Sequence, residues 1–193
     1  MPVVTPESKS AGLGGPQLML AVGERDHVRG AESAGVTVVE YGDFECPQCT
    51  QAFPIVQSIG EAFGDRLRFV YRHFPLTNVH AHAQHAAEAS EWAATKSAFW
   101  QMHDRLYTNA GKLTDADILA LAQRLGFDSA SLHQAWAAHA FIPRVKQDFL
   151  GGIRSGVTGT PTFFINGTRH EEAWDFATLS RAIERAEAQA AGS

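Results

Sequence analysis

The two cysteines of the chain, Cys46 and Cys49, are the residues whose type and spacing most clearly predict chemistry. They enclose Pro47 and Gln48, so their side chains lie one turn apart on one face if a helix begins here. They follow the apolar stretch Val36–Tyr41, which is typical of a central strand, and precede a segment with helical spacing of apolar residues. A cysteine pair between a strand and a helix predicts a dithiol that is reversibly oxidised to a disulfide.

The start of a helix favours this chemistry because its backbone N–H groups are unpaired and its dipole is positive. Both effects stabilise a thiolate, and cysteine pKa values in such sites fall to roughly 3.5–7.5. We expect Cys46 to be the exposed nucleophile and Cys49 to be the buried resolving thiol. The predicted cycle is attack, formation of a mixed disulfide, and resolution by the second cysteine.

The rest of the chain alternates between strand and helix patterns. A helix is predicted from the cysteines to about Phe63, a strand at Arg66–Phe74, and alanine-rich helices from about residue 80 to 150. Strands return at Thr162–Ile165, a tight turn follows at 166–167, and a helix covers about 175–190. Gln17–Val22 is interpreted as a short edge strand, and the glycines at 151–152 as a hinge.

Four segments carry a resemblance to a known family: Val38–Cys49, Phe69–Pro75, Phe99–His103 and Gly156–Gly167. With their order along the chain, they resemble the DsbA-like proteins of the thioredoxin superfamily, over about residues 26–190. The resemblance implies an α/β class, a thioredoxin-like fold with an inserted α-helical domain. It implies a thioredoxin-like domain at 26–76 plus 154–193, a helical domain at 77–153 and a flexible N-terminal segment at 1–25.

The resemblance also assigns roles to single residues. It implies that Cys46 attacks and Cys49 resolves, and that Pro161 is a cis-proline lying against the disulfide. Thr160 then offers its backbone to an extended substrate peptide. Glu40, six residues before the first cysteine, matches a buried acid whose raised pKa lets it relay the proton of Cys49.

The direction of electron flow stays open in this interpretation. Gln48 stands where the strongest oxidants of the family have histidine, so the thiolate is expected to be less stabilised and the pair less oxidising. Thr160 before the proline is similar to the isomerase and reductase members. Pro47 and Gln48 are expected to bind substrate together with Thr160 and Pro161. Asp43 and Glu45 are expected to be exposed beside the cysteines.

Composition and charge limit the other functions. The net charge of -5 argues against a broad surface for nucleic acid or anionic membrane. The N-terminus lacks a basic start followed by an apolar core, which predicts a cytoplasmic location, or a periplasmic or extracytoplasmic one if a signal was removed. The expected partners are protein or peptide thiols and a redox partner, with no nucleic acid, no membrane insertion and no cofactor beyond the Cys46–Cys49 pair.

Two alternatives to catalysis remain at this point. The first is a peptide-binding or chaperone module that keeps the fold but uses neither cysteine. The second is a zinc site in which histidines complete the ligand set of Cys46 and Cys49, because zinc takes about four ligands.

Overall fold

A five-stranded sheet forms the centre of the protein in the computed structural model, which describes residues 15–192. Its strands are β1 (His27–Gly30), β2 (Val36–Gly42), β3 (Leu67–His73), β4 (Thr162–Ile165) and β5 (Thr168–Arg169). They lie in the order β1-β3-β2-β4-β5, with β2 and β3 parallel and the other neighbours antiparallel. The strand that leads into the cysteines is therefore central, as the sequence predicts.

Seven α-helices of the described chain pack around this sheet. They are α1 (Pro47–Phe63), α2 (Ala83–Ala94), α3 (Phe99–Thr108), α4 (Asp115–Arg124), α5 (Ser129–Ala137), α6 (Ile142–Arg154) and α7 (Phe176–Ala191). Helix α1 begins at Pro47, where the missing N–H of proline leaves no donor unpaired, and it continues through Pro54. Thr114 and Asp117 form a capping box at the start of α4.

The two faces of the sheet bury different side chains, because successive residues of a strand point to opposite sides. Val38 of β2 belongs to the larger core, which is shared with α1, α3 and α7 and contains both cysteines. Val39 and Tyr41 belong to a smaller core, on which Phe149 of α6 packs. By this alternation, Glu40 lies on the same face as Val38 and the cysteine pair.

The helices α2 to α6 lie between β3 and β4 in the sequence and form an insertion in the sheet domain. The predicted fold class, a thioredoxin-like α/β fold with inserted helices, is thereby confirmed. The division into 26–76 plus 154–193 and 77–153 stays a prediction; α6 ends at residue 154, where that boundary falls. Of the segment 1–25, predicted to be flexible, residues 1–14 lie outside the described residues.

A cluster of charged side chains ties the inserted helices to the sheet. Glu91 Oε1 of α2 lies 2.9 Å from His27 Nε2 of β1 and 2.9 Å from His73 Nε2 of β3. Arg144 of α6 lies 3.6 Å from the same oxygen and 2.5 Å from Asp148 Oδ1. Burial alone would raise the pKa of Glu91, but the two histidines outweigh it and hold that pKa well below its usual range. The buried charge is therefore paired, as burial requires.

A second buried ion pair fixes the segment before β1. The side chains of Arg72 and Asp26 are fully buried, and Arg72 Nε donates to Asp26 Oδ1 at 2.8 Å. Arg72 also donates to the carbonyl oxygens of Leu20 and Ala21 and to the hydroxyl of Tyr41. All three nitrogens of the guanidinium are thus engaged in hydrogen bonds.

The edge strand lies elsewhere than the sequence predicts. It is β1, at His27–Gly30, whereas Gln17–Val22 contributes only an isolated bridge between Gln17 and Thr168. The side chains of β1 are half-buried or exposed, so no alternation of apolar residues marks the strand. Its place follows from antiparallel pairing with β3.

The predicted hinge at residues 151–152 is wrong, because α6 continues through both glycines. A Cβ atom on Gly152 would lie 2.7 Å from Cδ2 of Phe74 and 3.1 Å from Cδ1 of Tyr41. Real Cβ contacts are longer than this, so a glycine lets the helix approach the sheet closely.

Candidate active site

Cys46 lies at the N-cap of α1, and Cys49 lies in its first turn. The backbone of Cys46 is extended, with φ -68° and ψ 121°, and its carbonyl accepts the N–H of Thr50 at 3.0 Å. The two thiols are reduced in this structure. Pro47 and Gln48 between them are exposed and face solvent at the tip of the helix.

The loop before β4 covers the first cysteine. The Thr160–Pro161 peptide bond is cis, and the Cys46 thiol donates to the Thr160 carbonyl oxygen at 3.3 Å. Pro161 is half-buried. The order of the chain separates these residues by more than a hundred positions, and the sheet brings them together because β4 pairs with β2.

This contact corrects one expectation. Cys46 was expected to be the exposed thiol, yet it is only 5% exposed, and Cys49 is 0% exposed. The difference between the two thiols is therefore one of electrostatics more than of exposure.

The two thiols differ strongly in acidity. A hydrogen bond from the Cys49 side chain does most to lower the pKa of Cys46, and burial opposes this effect. Hydrogen bonds with Thr160 and with the backbone of Cys49 and Gln48 lower the pKa of Cys46 further, to about 5. Burial raises the pKa of Cys49 well above its usual value, and the neighbouring Cys46 and Glu40 raise it further. At neutral pH the pair is thus one thiolate beside one thiol.

Glu40 lies on β2 behind the cysteines, with 3% of its surface exposed. Burial raises the pKa of its carboxyl group to about 8, and the negative charge of Cys46 adds to the effect. A carboxyl group with this pKa can both lose and gain a proton near neutral pH.

Asp43 was expected to be exposed, and this expectation is wrong: the residue is 2% exposed. Its carboxylate accepts the N–H of Glu45 at 2.8 Å and the N–H of Leu76 at 2.8 Å, and it lies 2.7 Å from His80 Nδ1. Asp43 therefore joins the turn before the cysteines to the loop after β3. The sequence carried a weak signal for it, since aspartate often accepts from the backbone two residues later. Glu45 is half-buried.

Aromatic side chains that the sequence analysis did not assign to the site lie beneath the cysteines. Phe44 stacks on Tyr71 with ring centroids 5.2 Å apart, and Phe53, one turn after Cys49 on α1, stacks on Tyr107 at 5.2 Å. The hydroxyl groups of Tyr71 and Tyr107 lie 2.9 Å apart. No sequence signal separates these residues from ordinary core positions.

Metal-ligating side chains lie together in one other place within residues 15–192. His73, Glu91 and Asp148 could offer three ligand atoms, and neither cysteine belongs to a group of this kind in the described chain. Arg144 already pairs with Asp148 and lies close to Glu91. The alternative of a zinc site at the cysteines therefore gains no further ligand from the described residues.

A thioredoxin-like sheet with a cysteine pair at a helix start and a cis-proline beside it defines a class of protein, and the comparisons agree with it. Residues 23–185 match the sequence profile of the thioredoxin family, described as "Thioredoxin". The chain belongs to this family, and its structural neighbours are DsbA-like.

Among solved structures, BdbD from Bacillus subtilis, in oxidised form, has a TM-score of 0.76 and 24% identity, covering 91% of this chain and 97% of that one. A thioredoxin-like oxidoreductase from Silicibacter pomeroyi has a TM-score of 0.76 and 27% identity, covering 85% and 93%. The α-DsbA1 protein of Wolbachia pipientis has a TM-score of 0.74 and 19% identity, covering 90% and 96%. All three share the fold described above.

Among curated proteins, the Na⁺/H⁺ antiporter NhaA 1 of Salinispora arenicola is 48% identical over 163 residues. The match covers 84% of this chain but only 25% of the antiporter. The chain thus spans about a quarter of the length of this relative. Within residues 15–192, no helix combines the length and apolar character needed to cross a bilayer. The prediction of a cytoplasmic location finds no support in the comparisons.

Proposed function

We propose that this protein is a thiol–disulfide oxidoreductase that exchanges the Cys46–Cys49 disulfide or dithiol with protein or peptide thiols. The observation that carries the proposal is the electrostatic asymmetry of the pair. Cys46 is a thiolate at neutral pH at the start of a helix, while Cys49 stays protonated beneath it. The thiolate is the attacking species, and a protonated partner waits to resolve the mixed disulfide.

The proposed reaction begins when the Cys46 thiolate attacks one sulfur of a substrate disulfide. The substrate S–S bond breaks, a mixed disulfide forms, and the other substrate sulfur leaves as a thiolate. Cys49 then loses its proton to Glu40 and attacks Cys46, which releases the substrate thiolate and closes the Cys46–Cys49 bond. The same steps run backwards when the protein oxidises a substrate. Thr160 and Pro161, beside Cys46, hold the substrate backbone, and Pro47 and Gln48 contact its side chains. The cysteine pair carries the electrons without a further cofactor.

Substitution of each cysteine tests the proposal. Cys46→Ser abolishes exchange with a peptide disulfide, because no nucleophile remains. Cys49→Ser retains the first attack and accumulates mixed disulfides, which mass spectrometry detects under non-reducing conditions. Equal and full activity in both variants refutes the assignment. A protection against aggregation that persists without either cysteine supports the chaperone alternative instead.

Glu40 has a testable share in the reaction. Glu40→Gln removes the proton acceptor and slows resolution by about a hundredfold, in the range of a positioned acid–base group. The attack by Cys46 on a small disulfide keeps its rate within a few fold, since that step needs no proton acceptor. Glu61→Gln, at an exposed position of α1, is the control for the loss of one carboxylate.

The direction of electron flow belongs to the proposal as well. The pKa of Cys46, about 5, lies between roughly 7 for thioredoxin and roughly 3.5 for DsbA. A more stable thiolate stabilises the reduced protein and makes the pair more oxidising. We therefore place its potential between about -270 and about -120 mV, the values of those two proteins. Equilibration with glutathione measures it, and a value outside this interval contradicts the placement.

An extracytoplasmic site of action fits this chemistry. Glutathione and thioredoxin keep thiols reduced in the cytosol, whereas a pair that donates disulfides works in an oxidising compartment. Fractionation of the native host, with detection of the protein outside the cytoplasm, tests this part of the proposal.

A second candidate function is a part in Na⁺/H⁺ antiport, for which the 48% identity to a quarter of an antiporter is the specific observation. Membrane vesicles made with and without this protein distinguish the two candidates. If added sodium dissipates a proton gradient only in vesicles that contain the protein, the second candidate is supported. Unchanged exchange contradicts it and leaves the thiol chemistry unaffected.

A further inference from the structure

The hydroxyl groups of Tyr71 and Tyr107 form a buried pair that the reaction above does not use. Tyr71 comes from β3 and is 0% exposed; Tyr107 comes from α3 and is 3% exposed. We propose that this pair donates a hydrogen bond to the Cys49 thiolate whenever exchange creates it. The inference rests on the proposed function and assigns a donor to its buried sulfur.

The count of hydrogens supports this role. Each phenol offers one hydrogen, and one of the two is used in the 2.9 Å hydrogen bond between them. The second hydrogen has no acceptor in the described part of the chain, since neither hydroxyl makes another hydrogen bond there. A buried donor without an acceptor destabilises the folded state, so its persistence calls for an acceptor that forms during the reaction.

Gly42 leaves the space that the two tyrosine hydroxyl groups occupy. A Cβ atom on Gly42 would lie 2.8 Å from the hydroxyl of Tyr71 and 2.8 Å from that of Tyr107. Gly42 is the last residue of β2, two positions after Glu40 on the same face of the sheet. Glycine thus leaves the space in which two phenol oxygens reach the turn that precedes the cysteines.

The surroundings of the pair place it beside the elements that carry the reacting groups. Glu40 and Tyr71 are direct partners in the register of β2 and β3. Tyr107 stacks on Phe53, which follows Cys49 by one turn of α1. Burial raises the pKa of both tyrosines well above the usual value, and charge on Cys49 and Glu40 raises it further.

The ionisable groups around the pair come from four elements. They are Cys49 on α1, Glu40 on β2 with Asp43 after it, His73 on β3, and His103 on α3. Burial lowers the pKa of His103 to about 4, so it is neutral at pH 7. No lysine or arginine is among these groups. A backbone hydrogen bond from Asp43 already lowers the pKa of Cys49, and the free tyrosine hydrogen offers a second donor for a new anion.

The proposed step begins from the oxidised protein and conserves atoms and electrons. In the oxidised protein, a substrate thiolate attacks the sulfur of Cys46, the new S–S bond forms, and the Cys46–Cys49 bond breaks. Its electron pair moves to Cys49, which becomes a thiolate and accepts the tyrosine hydrogen bond. Glu40 then supplies the proton that converts Cys49 to a thiol. In the reverse direction the same thiolate forms before Cys49 attacks, so the donor acts in both directions.

The experiment compares the full chain with the double variant Y71F/Y107F. Because the double variant removes both hydroxyl groups together, no buried hydroxyl is left without a hydrogen-bond partner, and we expect folding to be retained. Glutathione is the probe, and stopped-flow fluorescence follows reduction of the oxidised protein and the reverse reaction. We expect both rates to fall by about 3- to 10-fold, because a hydrogen bond to a charged leaving group is lost. The equilibrium constant stays unchanged, because Cys49 is protonated in the reduced protein.

The third tyrosine of the chain provides the control. Tyr41 is buried on the opposite face of the sheet, where its hydroxyl accepts from Arg72 at 3.1 Å. Tyr41→Phe keeps both exchange rates. Single Tyr71→Phe and Tyr107→Phe variants identify which oxygen carries the free hydrogen.

The outcomes separate this inference from the proposed function. A wild-type protein that does not exchange with glutathione contradicts the proposed function itself. A wild type that exchanges, with Y71F/Y107F as fast as Tyr41→Phe, overturns the donor role alone. A changed equilibrium constant with unchanged reduction also overturns it, because it indicates a structural effect on one redox state.

Discussion

Glu40 makes a stability prediction whose sign follows from its burial. The folded protein holds the proton of this carboxyl group up to a pH of about 8, whereas an unperturbed glutamate loses it near pH 4.5. Between these values the unfolded chain binds fewer protons, so the free energy of unfolding decreases as the pH rises. The loss is complete above pH 8. A difference of about 3.5 units corresponds to about 5 kcal/mol as an upper limit.

Glu40→Gln removes this titration. The buried amide is expected to cost about 1–3 kcal/mol at pH 5, because its donors find no partner. As the pH rises from about 4.5 to 8, the stability of the wild type falls relative to that of the variant, so the variant becomes the more stable protein at pH 9. The burial of Glu40 thus reduces stability at neutral pH, and the proton transfer proposed for it would be an exchange of stability for activity.

Denaturant unfolding of the reduced proteins at several pH values measures this difference. The free energy of unfolding of wild type minus that of the variant should decrease steadily across the window and then level off. The exposed Glu61→Gln variant controls for the change in net charge. Two curves that stay parallel from pH 5 to pH 9 refute the argument that burial raises the pKa of Glu40.

Two further predictions concern the cysteines and the core. Cys49→Ala removes the hydrogen bond that contributes most to the low pKa of Cys46, so we expect this pKa to rise by about one to two units. Ultraviolet absorbance of the thiolate measures it. An unchanged value near 5 refutes the proposed hydrogen bond. Asp26→Ala leaves the buried guanidinium of Arg72 without its ion pair, so the free energy of unfolding should fall by about 3–5 kcal/mol in denaturant unfolding. A loss of about 1 kcal/mol or less, the value typical of an exposed ion pair, contradicts this prediction.

The parts of the fold that the sequence predicts are those with local signals. The strand around Val39 is marked by an almost continuous run of apolar residues, because it is buried on two faces. The strand around Val70 is marked by the alternation of Leu67, Phe69 and Tyr71. The start of α4 is marked by Thr114, whose capping box needs only residues three positions apart. Local chemistry of this kind is complete within a few residues, so it can be recognised without the rest of the chain.

The edge strand and the continuous α6 show why other parts could not be predicted. Val28 is the only large apolar residue of β1, and it is exposed, so the strand exists through pairing rather than burial. Gly152 looks like a hinge because glycine usually weakens a helix. Its actual reason, the close approach of Phe74, involves a residue that follows β3 and is distant in the sequence.

The candidate site divides along the same line. The cysteine pair and Pro161 could be recognised from motifs, but the acidity of Cys46 depends on the partner thiol beneath it and on the side chain of Thr160, more than a hundred residues away. The tyrosine pair could not be predicted from local sequence, because Tyr71 and Tyr107 meet only where α3 packs on β3, next to the end of β2 at Gly42. A motif therefore identifies which atoms exchange electrons, whereas the groups that accommodate the charge are set by the packing of distant elements.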